Sequence, residues 1–302
     1  MPELELWHVS VFSRNPFGGN PAAVAFCKAT LDATTMQSIA RTMNLSESVF
    51  IFSSMDKRAD YFARIFTVRR EVVFAAHPTI AAAFAFLQKY GVPGTGCPGI
   101  IRQQCTAGIV EIEPIIGPSG SLLFVAQRDP RYKDANTSRE DIARALGCEA
   151  DAVSDAPVAV VSTGVPWLIV ELTTLHAVQT LAPDYKRIAR LSKDAEAVGI
   201  TVFTRKTSHP DRDAHLRSFA PGAGIYEDPV CGSCHGALAA YLSRHCSQIS
   251  GALDNGGSLR LEQGDEIGLP GFSEVIARKR NGGTQYLVGG EAVVTLKGTM
   301  HW

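Results

Sequence analysis

The segment Glu227–Leu242 reads EDPVCGSCHGALAAYL, and the rest of the chain is organised around it. An acidic loop with Pro229 leads into small residues and then into an alanine-rich run with helical spacing. This order predicts a loop followed by a buried helix, with Ser233 as its N-cap. Small residues at a helix start leave backbone N–H groups uncovered, and the helix dipole adds partial positive charge there. The pattern therefore favours a bound carboxylate or enolate beside an acidic side chain, which suits proton transfer.

A second segment, Glu71–Tyr90, has the same order of features and reads EVVFAAHPTIAAAFAFLQKY. A short apolar strand precedes a polar position at His77, and Pro78 then opens an alanine-rich helix that Gly91 ends. Aligning the two segments brings three further pairs of pieces into approximate register: Gly19–Pro21 with Gly164–Pro166, Ser48–Ile51 with Ile200–Phe203, and Ala63–Phe66 with His215–Phe219. The sequence therefore predicts two similar halves.

The size and composition of the chain indicate an ordinary globular protein. At 302 residues it exceeds the usual size of a single core, so we expect two domains. Hydrophobic residues make up 45%, charged residues 20%, and the formal net charge is −1. This balance provides no field that would attract nucleic acid or an anionic membrane. A small molecule is the expected partner.

The N-terminus and the cysteines bear on the compartment. The opening residues MPELELWHVSVFSR carry acids and strand-like alternation in place of a basic patch followed by an apolar run. Charged residues interrupt every apolar stretch before it reaches membrane-spanning length. We therefore expect a cytoplasmic protein, and its seven cysteines favour free thiols over a disulfide framework.

Short strands with few helices predict an α+β fold in which each sheet wraps around one central helix. The cluster 15–21 predicts a hairpin tip that contains Asn20, and Glu47 lies at the mouth of the strand Val49–Phe52. Ser138 and Gly147 are suited to begin and end a helix between them. Residues 91–99 are rich in glycine and proline. The sequence Gly-Pro-Ser-Gly at 117–120 predicts a turn. We expect domains at 1–125 and 126–302. The sequence leaves open whether the C-terminal strand crosses back onto the first domain.

Six pieces of the sequence carry a resemblance to a known family. They are FGGNPAAVAF, NLSESVFIF, FAAHPTIAAAF, GVPWLIVEL, RSFAPGAGIYEDPVCGSCHGALAAYL, and an ending that contains QGDEIGLPGFSEV and LVGGEAVVTLKG. In this order they resemble the PhzF-type phenazine biosynthesis isomerases, which are relatives of diaminopimelate epimerase. The resemblance covers nearly the whole chain. Six pieces in one order make it specific, although no single piece is decisive.

The resemblance implies two similar domains that face each other, with the active cleft between the two helix starts. It also implies an isomerase that needs no metal or organic cofactor, and relatives of this type are often homodimers. The motif NLSE assigns proton transfer to Glu47. The remaining motifs place substrate-binding positions on His77, Asp228, Gly232 and Ser233.

Each of these residues also has a structural interpretation. Glu47 could be a solvated acid at a strand edge, His77 a helix cap or packed imidazole, and Asp228 a helix cap. Asn20 could be a turn residue or line the pocket. In the functional interpretation, partial burial raises the pKa of Glu47 toward neutrality, and Asp228 binds a substrate amine or hydroxyl or fixes the tautomer of His77.

The sequence departs from the family pattern at both helix starts. Diaminopimelate epimerase-like enzymes carry a cysteine at each start, whereas this chain has Ala75 at the first and Cys231 at the second. A racemase with two thiols is thereby disfavoured. Ala76 replaces the usual glycine, which predicts a reshaped pocket. Cys231, with a thiol pKa lowered by the helix start, is a possible second acid/base.

The residues Cys231–His235 also match a C-x-x-C-H pattern, which occurs in haem attachment and, as C-x-x-C, in redox sites. The missing export signal argues against haem, and the lack of further nearby ligands argues against a metal. We therefore expect no metal site.

Three functions remain open from the sequence. The leading hypothesis is a cofactor-independent isomerase that moves a proton on a small, unsaturated, carboxylate-bearing metabolite, similar to trans-2,3-dihydro-3-hydroxyanthranilate isomerase. An alternative is an amino- or hydroxy-acid epimerase or racemase that uses Glu47, Cys231 or both. A third is a non-catalytic small-molecule binder whose pocket Ala76 narrows.

Overall fold

The computed structural model of the chain describes residues 2–91, 99–117, 120–281 and 283–302. The chain divides into two compact units, Met1–Ala126 with Gly289–Trp302, and Gln127–Val288. Residues 92–98 of the glycine- and proline-rich stretch, and Pro118 and Ser119 of the predicted turn, lie outside the described residues. Within the described residues, no helix combines the length and the apolar character that crossing a membrane requires.

In its described part, the first unit contains two helices, α1 (Ala33–Met43) and α2 (Ala76–Tyr90). Its strands follow the apolar runs of the sequence: β1 (Glu3–Val11), β2 (Asn20–Phe26), β3 (Glu47–Phe52), β4 (Tyr61–Thr67), β5 (Glu71–Val72), β6 (Ile101–Cys105), β7 (Gly108–Gly117), β8 (Gly120–Ala126) and, from the C-terminus, β18 (Ala292–His301). β1 pairs antiparallel with β2, which confirms the predicted hairpin, and β18 pairs antiparallel with the other edge of β1.

The second unit contains five helices among its described residues: α3 (Arg139–Leu146), α4 (Leu175–Gln179), α5 (Tyr185–Asp194), α6 (Gly232–His245) and α7 (Ser247–Asp254). Its strands are β9 (Arg131–Asp134), β10 (Ala159–Ser162), β11 (Pro166–Glu171), β12 (Gly199–Thr204), β13 (Ala214–Ala220), β14 (Ile225–Asp228), β15 (Ser258–Gln263), β16 (Gly271–Arg280) and β17 (Gly283–Gly290). Ser138 caps α3 by accepting from the Asp141 N–H, and Gly147 ends it in a left-handed conformation, as predicted.

The two units share one order of strand pairing. β2 runs parallel to β3, as β11 does to β12. The next pairs, β3 with β4 and β12 with β13, are antiparallel. β4 then runs parallel to β6, and β13 runs parallel to β15. Since this order holds from β1 to β7 and again from β10 to β16, the predicted duplication and the α+β fold are confirmed.

One helix of each unit is buried on nearly every side. α2 packs against β1, β2, β3 and β8, and α6 packs against β10, β11 and β16. Alanine-rich sequence explains this placement, because small side chains let the strands approach the helix backbone from several directions. Ala81, Ala82 and Ala83 of α2, and Ala237, Ala239 and Ala240 of α6, are fully buried. The predicted central helices are therefore confirmed.

The structure corrects several local predictions. α6 begins at Gly232 with Cys231 in the N-cap position, so Ser233 lies inside the first turn and is not the cap. The run 103–115 forms parts of two strands, because Gly108 adopts a φ of 109° at the turn between them. The polar stretch around 129–135 contains β9. The elements α4, α7, β14 and β16 were not predicted.

Candidate active site

Glu47 is the first residue of β3, which lies between β2 and β4. Its side chain is only 14% exposed. Burial raises the pKa of Glu47 from 4.5 to about 7, although the neighbouring Ser46 hydroxyl opposes the rise. A carboxyl with this pKa exists in both protonation states near neutral pH. It can therefore accept a proton in one step and return one in the next.

His77 lies beside Glu47 in the first turn of α2. Its Nδ1 is 3.4 Å from the Glu47 Oε2, which is a contact longer than an ordinary hydrogen bond. The His77 side chain is 8% exposed. The structure thus brings together the two residues that the sequence motifs predicted for the first unit. The interpretation of Glu47 as a solvated acid is wrong, since its side chain is only 14% exposed, and that of His77 as a helix cap is wrong, since Ala75 occupies the N-cap position.

Asn20 is the first residue of β2 and is buried. Its Oδ1 accepts a hydrogen bond of 3.0 Å from the Oγ of Ser46, the neighbour of Glu47. The preceding Gly19 has a φ of 74°, and a Cβ there would lie 2.2 Å from the Val11 carbonyl oxygen. The tight hairpin tip therefore requires glycine, and it brings Asn20 into the surroundings of Glu47.

The start of α2 has no side-chain cap. Pro78 carries no N–H, and Thr79 directs both its N–H (3.3 Å) and its hydroxyl (2.8 Å) to the Ala75 carbonyl oxygen. The N–H groups of Ala76 and His77 therefore precede the first hydrogen bond within the helix. This end of the helix has the polarity that attracts an anion.

The start of α6 in the second unit repeats this arrangement with different side chains. The Cys231 carbonyl accepts hydrogen bonds of 3.1 Å from the N–H groups of both Cys234 and His235. The N–H groups of Gly232 and Ser233 precede these bonds. The Ser233 Oγ accepts from the indole Nε1 of Trp167 at 2.9 Å. The helix start therefore has a defined geometry that could receive a carboxylate.

Asp228, the last residue of β14, lies three residues before Cys231 and is buried. The prediction of a lowered thiol pKa at Cys231 is wrong. Burial raises that pKa well above its ordinary value, and the neighbouring Cys234 and the negative charge of Asp228 raise it further. The Cys231 thiol is therefore protonated at neutral pH. Its role as a second acid/base stays a prediction, which this protonation state weakens.

The remaining residues of the C-x-x-C-H pattern have local partners. The Cys234 Sγ donates to the Cys231 carbonyl at 3.1 Å and lies 3.0 Å from the Ser218 Oγ. The His235 ring lies between the Ser273 Oγ, 2.6 Å from Nδ1, and the Gln263 Oε1, 2.8 Å from Nε2. These contacts give the pattern a role in holding the helix start. The six cysteines in the described residues are free thiols; the seventh, Cys97, lies outside them.

Within the described residues, one group has the composition of a metal site. His209, Glu262 and Asp265 offer ligand atoms within 4.8 Å of one another. The two carboxylate oxygens of Glu262 already accept hydrogen bonds from the Ser208 N–H and from both His209 and His215. A cation would have to displace these donors, so the group has a complete structural role as a hydrogen-bonded network.

Sequence reasoning missed three residues that shape these sites, Ser46, Trp167 and Gln263. Ser46 lies within the NLSE motif and Trp167 within GVPWLIVEL, and both donate hydrogen bonds to predicted site residues. Gln263 lies in the QGDEIG piece, and its amide reaches the loop before α6. Their presence in the quoted motifs was the available signal.

Comparison with known proteins agrees with the sequence and the fold. A family model described as phenazine biosynthesis-like protein, PhzC-PhzF, matches residues 9–298. Antisense-enhancing sequence 1 of Schizosaccharomyces pombe is 32% identical, with 99% of each chain covered. An uncharacterized isomerase of Clostridium acetobutylicum is 32% identical and covers 97% of this chain and 96% of its own. The trans-2,3-dihydro-3-hydroxyanthranilate isomerase of Pseudomonas chlororaphis is 30% identical, with 97% of each chain covered.

Solved structures extend the comparison to the fold. A phenazine biosynthesis protein of the PhzF family from Bacillus anthracis matches with a TM-score of 0.91, 26% identity and full coverage of both chains. A hydroxyproline epimerase from Agrobacterium vitis shares the fold alone, with a TM-score of 0.58, 12% identity, and coverage of 98% of this chain and 92% of its own. The predicted resemblance and enzyme class are confirmed: the chain belongs to the phenazine biosynthesis-like family, PhzC-PhzF, and is an isomerase of that family.

Proposed function

We propose that this isomerase uses Glu47 as its general base and general acid. The observation that carries the proposal is the buried Glu47 carboxyl beside His77, with its pKa raised to about 7. A solvated glutamate is ionised at neutral pH and is a poor proton donor, whereas a carboxyl near pKa 7 can serve both steps of a proton shift. A positioned group of this kind contributes roughly 10²–10⁴-fold to rate.

The chemistry balances without a redox partner. The Glu47 carboxylate takes a proton from an sp³ carbon, and the electron pair left behind shifts through an adjacent double bond. The protonated Glu47 then delivers a proton to the far carbon of that system. The product is an isomer of the substrate, and the carboxyl returns to its starting state, so the proposed mechanism calls for no metal or organic cofactor.

We propose that the other predicted residues bind the substrate or orient Glu47. His77, 3.4 Å from the carboxyl, would orient Glu47 or the substrate. Asn20 would hold the hydroxyl of Ser46, the residue that precedes Glu47. In the second unit, the N–H groups of Gly232 and Ser233 would receive a carboxylate, and Asp228 would bind an amine or hydroxyl.

The proposed substrate class is a small unsaturated carboxylate with an amine or hydroxyl substituent. Support comes from the Pseudomonas chlororaphis relative, which is named trans-2,3-dihydro-3-hydroxyanthranilate isomerase. That compound carries a carboxylate, an amine, a hydroxyl and conjugated double bonds. We propose it, or a close analogue, as the substrate of this chain.

The test is conversion of trans-2,3-dihydro-3-hydroxyanthranilate in deuterated water by the wild type, Glu47→Gln and a control, Glu111→Gln. Glu111 lies on β7 and its side chain is 52% exposed, so it offers the same substitution on the surface of the same unit. We expect deuterium at a single carbon of the product with the wild type and the control, and a roughly 10²–10⁴-fold slower conversion by Glu47→Gln. Unchanged conversion by Glu47→Gln would remove the mechanism. A wild type that neither converts nor labels the compound would remove this substrate.

A further inference from the structure

We propose that Gln263 is a positioning residue that clamps the loop Asp228–Cys231, and through it the start of α6, in one geometry. The inference rests on the proposed role of that helix start in substrate binding. Gln263 does not itself act on the reacting atoms in this proposal. Its contribution is to hold the groups that bind.

Gln263 is the last residue of β15 and is 1% exposed. Its strand runs parallel to β13 and antiparallel to β16, so its backbone is fixed on both edges. The next residue, Gly264, has a φ of 97°, and a Cβ there would lie 2.3 Å from the Leu269 carbonyl oxygen and 2.7 Å from the Pro229 carbonyl oxygen. Only glycine allows this approach, so the turn after Gln263 packs directly on the loop that precedes α6.

The Gln263 amide bridges the two ends of that loop. Its Nε2 donates to the Asp228 carbonyl at 2.6 Å, and its Oε1 accepts from the Cys231 N–H at 3.2 Å. A carbonyl can only accept and a backbone N–H can only donate, so the amide has one permitted orientation. Both ends of a loop interrupted by Pro229 are therefore tied to a single buried side chain.

His235 supports the same oxygen from within α6. Its Nε2 is 2.8 Å from the Gln263 Oε1, which must accept, so Nε2 carries the ring proton. Nδ1 then accepts from the Ser273 hydroxyl at 2.6 Å. Burial lowers the pKa of His235 to about 4, which keeps this neutral tautomer at physiological pH. The histidine of the C-x-x-C-H pattern thus has a defined structural partner, the clamp residue Gln263.

The clamp has a consequence for the helix start. The Cys231 N–H is committed to Gln263, and the Cys231 carbonyl is committed to α6. Since both polar groups of the Cys231 backbone are held, the following N–H groups of Gly232 and Ser233 have a fixed direction. A preorganised pair of donors binds an anion at a lower entropic cost than a mobile pair.

A buried glutamine of the first unit provides a control. Gln103 lies on β6, which pairs with β4 as β15 pairs with β13, and it is fully buried. Its Nε2 donates to the Thr79 hydroxyl at 3.1 Å and its Oε1 accepts from the Tyr61 hydroxyl at 3.2 Å. Gln103 is therefore a buried glutamine whose amide bonds two side-chain hydroxyls.

The experiment compares Gln263→Met, Gln263→Glu and Gln103→Met in the full chain, without substrate. Iodoacetamide labelling of Cys231 and hydrogen exchange of the peptide covering 228–238 are read by mass spectrometry. We expect at least tenfold faster labelling and exchange in Gln263→Met. Gln263→Glu should be intermediate, because it keeps the acceptor for Cys231 and loses the donor for Asp228. Gln103→Met should match the wild type at these residues. Wild-type labelling and exchange in both Gln263 variants would overturn the clamp.

A second measurement tests the positioning role with trans-2,3-dihydro-3-hydroxyanthranilate, the substrate proposed above. We expect kcat/KM of Gln263→Met to fall by about 10- to 100-fold. The carbon that takes up deuterium should stay the same, because Glu47 is intact. Partial recovery in Gln263→Glu would support positioning by the Cys231 bond. If labelling and exchange show a loosened helix start while kcat/KM stays at the wild-type value, the positioning role is overturned. A failure of the Glu47 mechanism is a separate result, since it would appear as unchanged conversion by Glu47→Gln.

Discussion

The hairpin and helix β4–β5–α2 and their counterparts β13–β14–α6 are built alike and carry different chemistry. In each hairpin an arginine of the first strand forms two hydrogen bonds with a glutamate of the second and lies near a phenylalanine ring of its own strand. These residues are Arg64, Glu71 and Phe66 in the first unit, and Arg217, Glu227 and Phe219 in the second. The repeated feature is therefore a scaffold that presents a helix start.

The two helix starts differ in what burial does to their side chains. At α2, the buried Glu47 keeps a pKa near neutrality and can change its charge during a reaction. At α6, burial keeps the Cys231 thiol protonated and His235 neutral, and the Gln263 amide oxygen accepts from the Cys231 backbone N–H and from the His235 ring. In the proposed function, one copy of the repeated scaffold therefore carries proton transfer and the other carries fixed binding. The following predictions test this difference.

The largest expected effect concerns the two arginine–glutamate pairs. The side chains of Arg217 and Glu227 are 7% and 9% exposed, whereas those of Arg64 and Glu71 are 25% and 34% exposed. Glu227→Gln leaves a buried guanidinium without its counter-charge, and we expect it to cost roughly 3–5 kcal/mol. The matched variant Glu71→Gln should cost about 1 kcal/mol or less. Thermal unfolding, with hydrogen exchange of β13–β14 and β4–β5 to locate the loss, provides the measurement.

Equal losses of stability in Glu227→Gln and Glu71→Gln would contradict this prediction, since they would show that burial does not determine how much each arginine–glutamate pair stabilises the fold. Asp194→Asn serves as a surface reference. It removes an exposed partner of Arg190 in α5 and should change stability by about 0.5 kcal/mol or less.

The next effect is on catalysis. Glu47→Asp keeps an ionisable carboxyl but withdraws it by one methylene, and a displacement on the order of 1 Å can cost about 10²-fold in rate. We expect kcat to fall by about that factor, which corresponds to roughly 2.7 kcal/mol. Glu111→Asp is the control on the exposed face of β7. A kcat for Glu47→Asp within about threefold of the wild type would show that the position of the carboxyl is not limiting, contrary to the positioning argument.

The sequence was sufficient for the repeated scaffold because its signals are local. Alternation of apolar and polar residues, glycine positions and alanine-rich runs predicted most strands and both central helices. Because the two halves are similar, an element predicted in one half supported the matching element in the other. Prediction from the sequence failed where the local pattern of residues was weak or only a few residues long. Examples are the four-residue strand β14 and the helix start at Cys231, where Ser233 suggested a cap but binds Trp167 instead.

The chemistry of the site was only partly predictable. The motifs located Glu47 and His77, and the structure brings them within 3.4 Å. The direction of the Cys231 pKa was wrong, because the helix-start argument considers one element while burial depends on all neighbouring elements. Gln263 was missed for the same reason. Its hydrogen bonds join it to residues 32 to 35 positions earlier in the chain, and a local sequence pattern cannot indicate a contact between residues so far apart.

The pH dependence of stability gives a third prediction. The pKa of Glu47 is about 7 in the folded chain and about 4.5 when the chain is unfolded and solvated. Below pH 4.5 both states hold the proton and the group has little effect. Between pH 4.5 and 7 only the unfolded state ionises readily, so the folded state loses stability as pH rises, with the full loss above pH 7.

Glu47→Gln removes this loss. The shift corresponds to at most about 3.4 kcal/mol, and partial solvation of a side chain that is 14% exposed lowers our expectation to about 2 kcal/mol. Thermal unfolding at pH 8.5 should therefore show Glu47→Gln as more stable than the wild type, with little difference at pH 4. A variant equally or less stable than the wild type at pH 8.5 would contradict a raised pKa for Glu47.

The smallest expected effect is at Cys231, and it separates isomerisation from an epimerisation that uses this thiol. A thiol that burial keeps protonated cannot accept a proton from carbon at neutral pH, so Cys231→Ala should retain kcat/KM within about threefold, or roughly 0.7 kcal/mol. Cys27→Ala is the matched control, because burial raises the pKa of Cys27 to about 12. An epimerase that depends on Cys231 would instead lose inversion of an amino or hydroxy acid, followed by optical rotation, by 10²-fold or more, as expected for removal of a catalytic acid or base. Such a loss in Cys231→Ala alone would give the second helix start a share in proton transfer and end the division of roles between the two units.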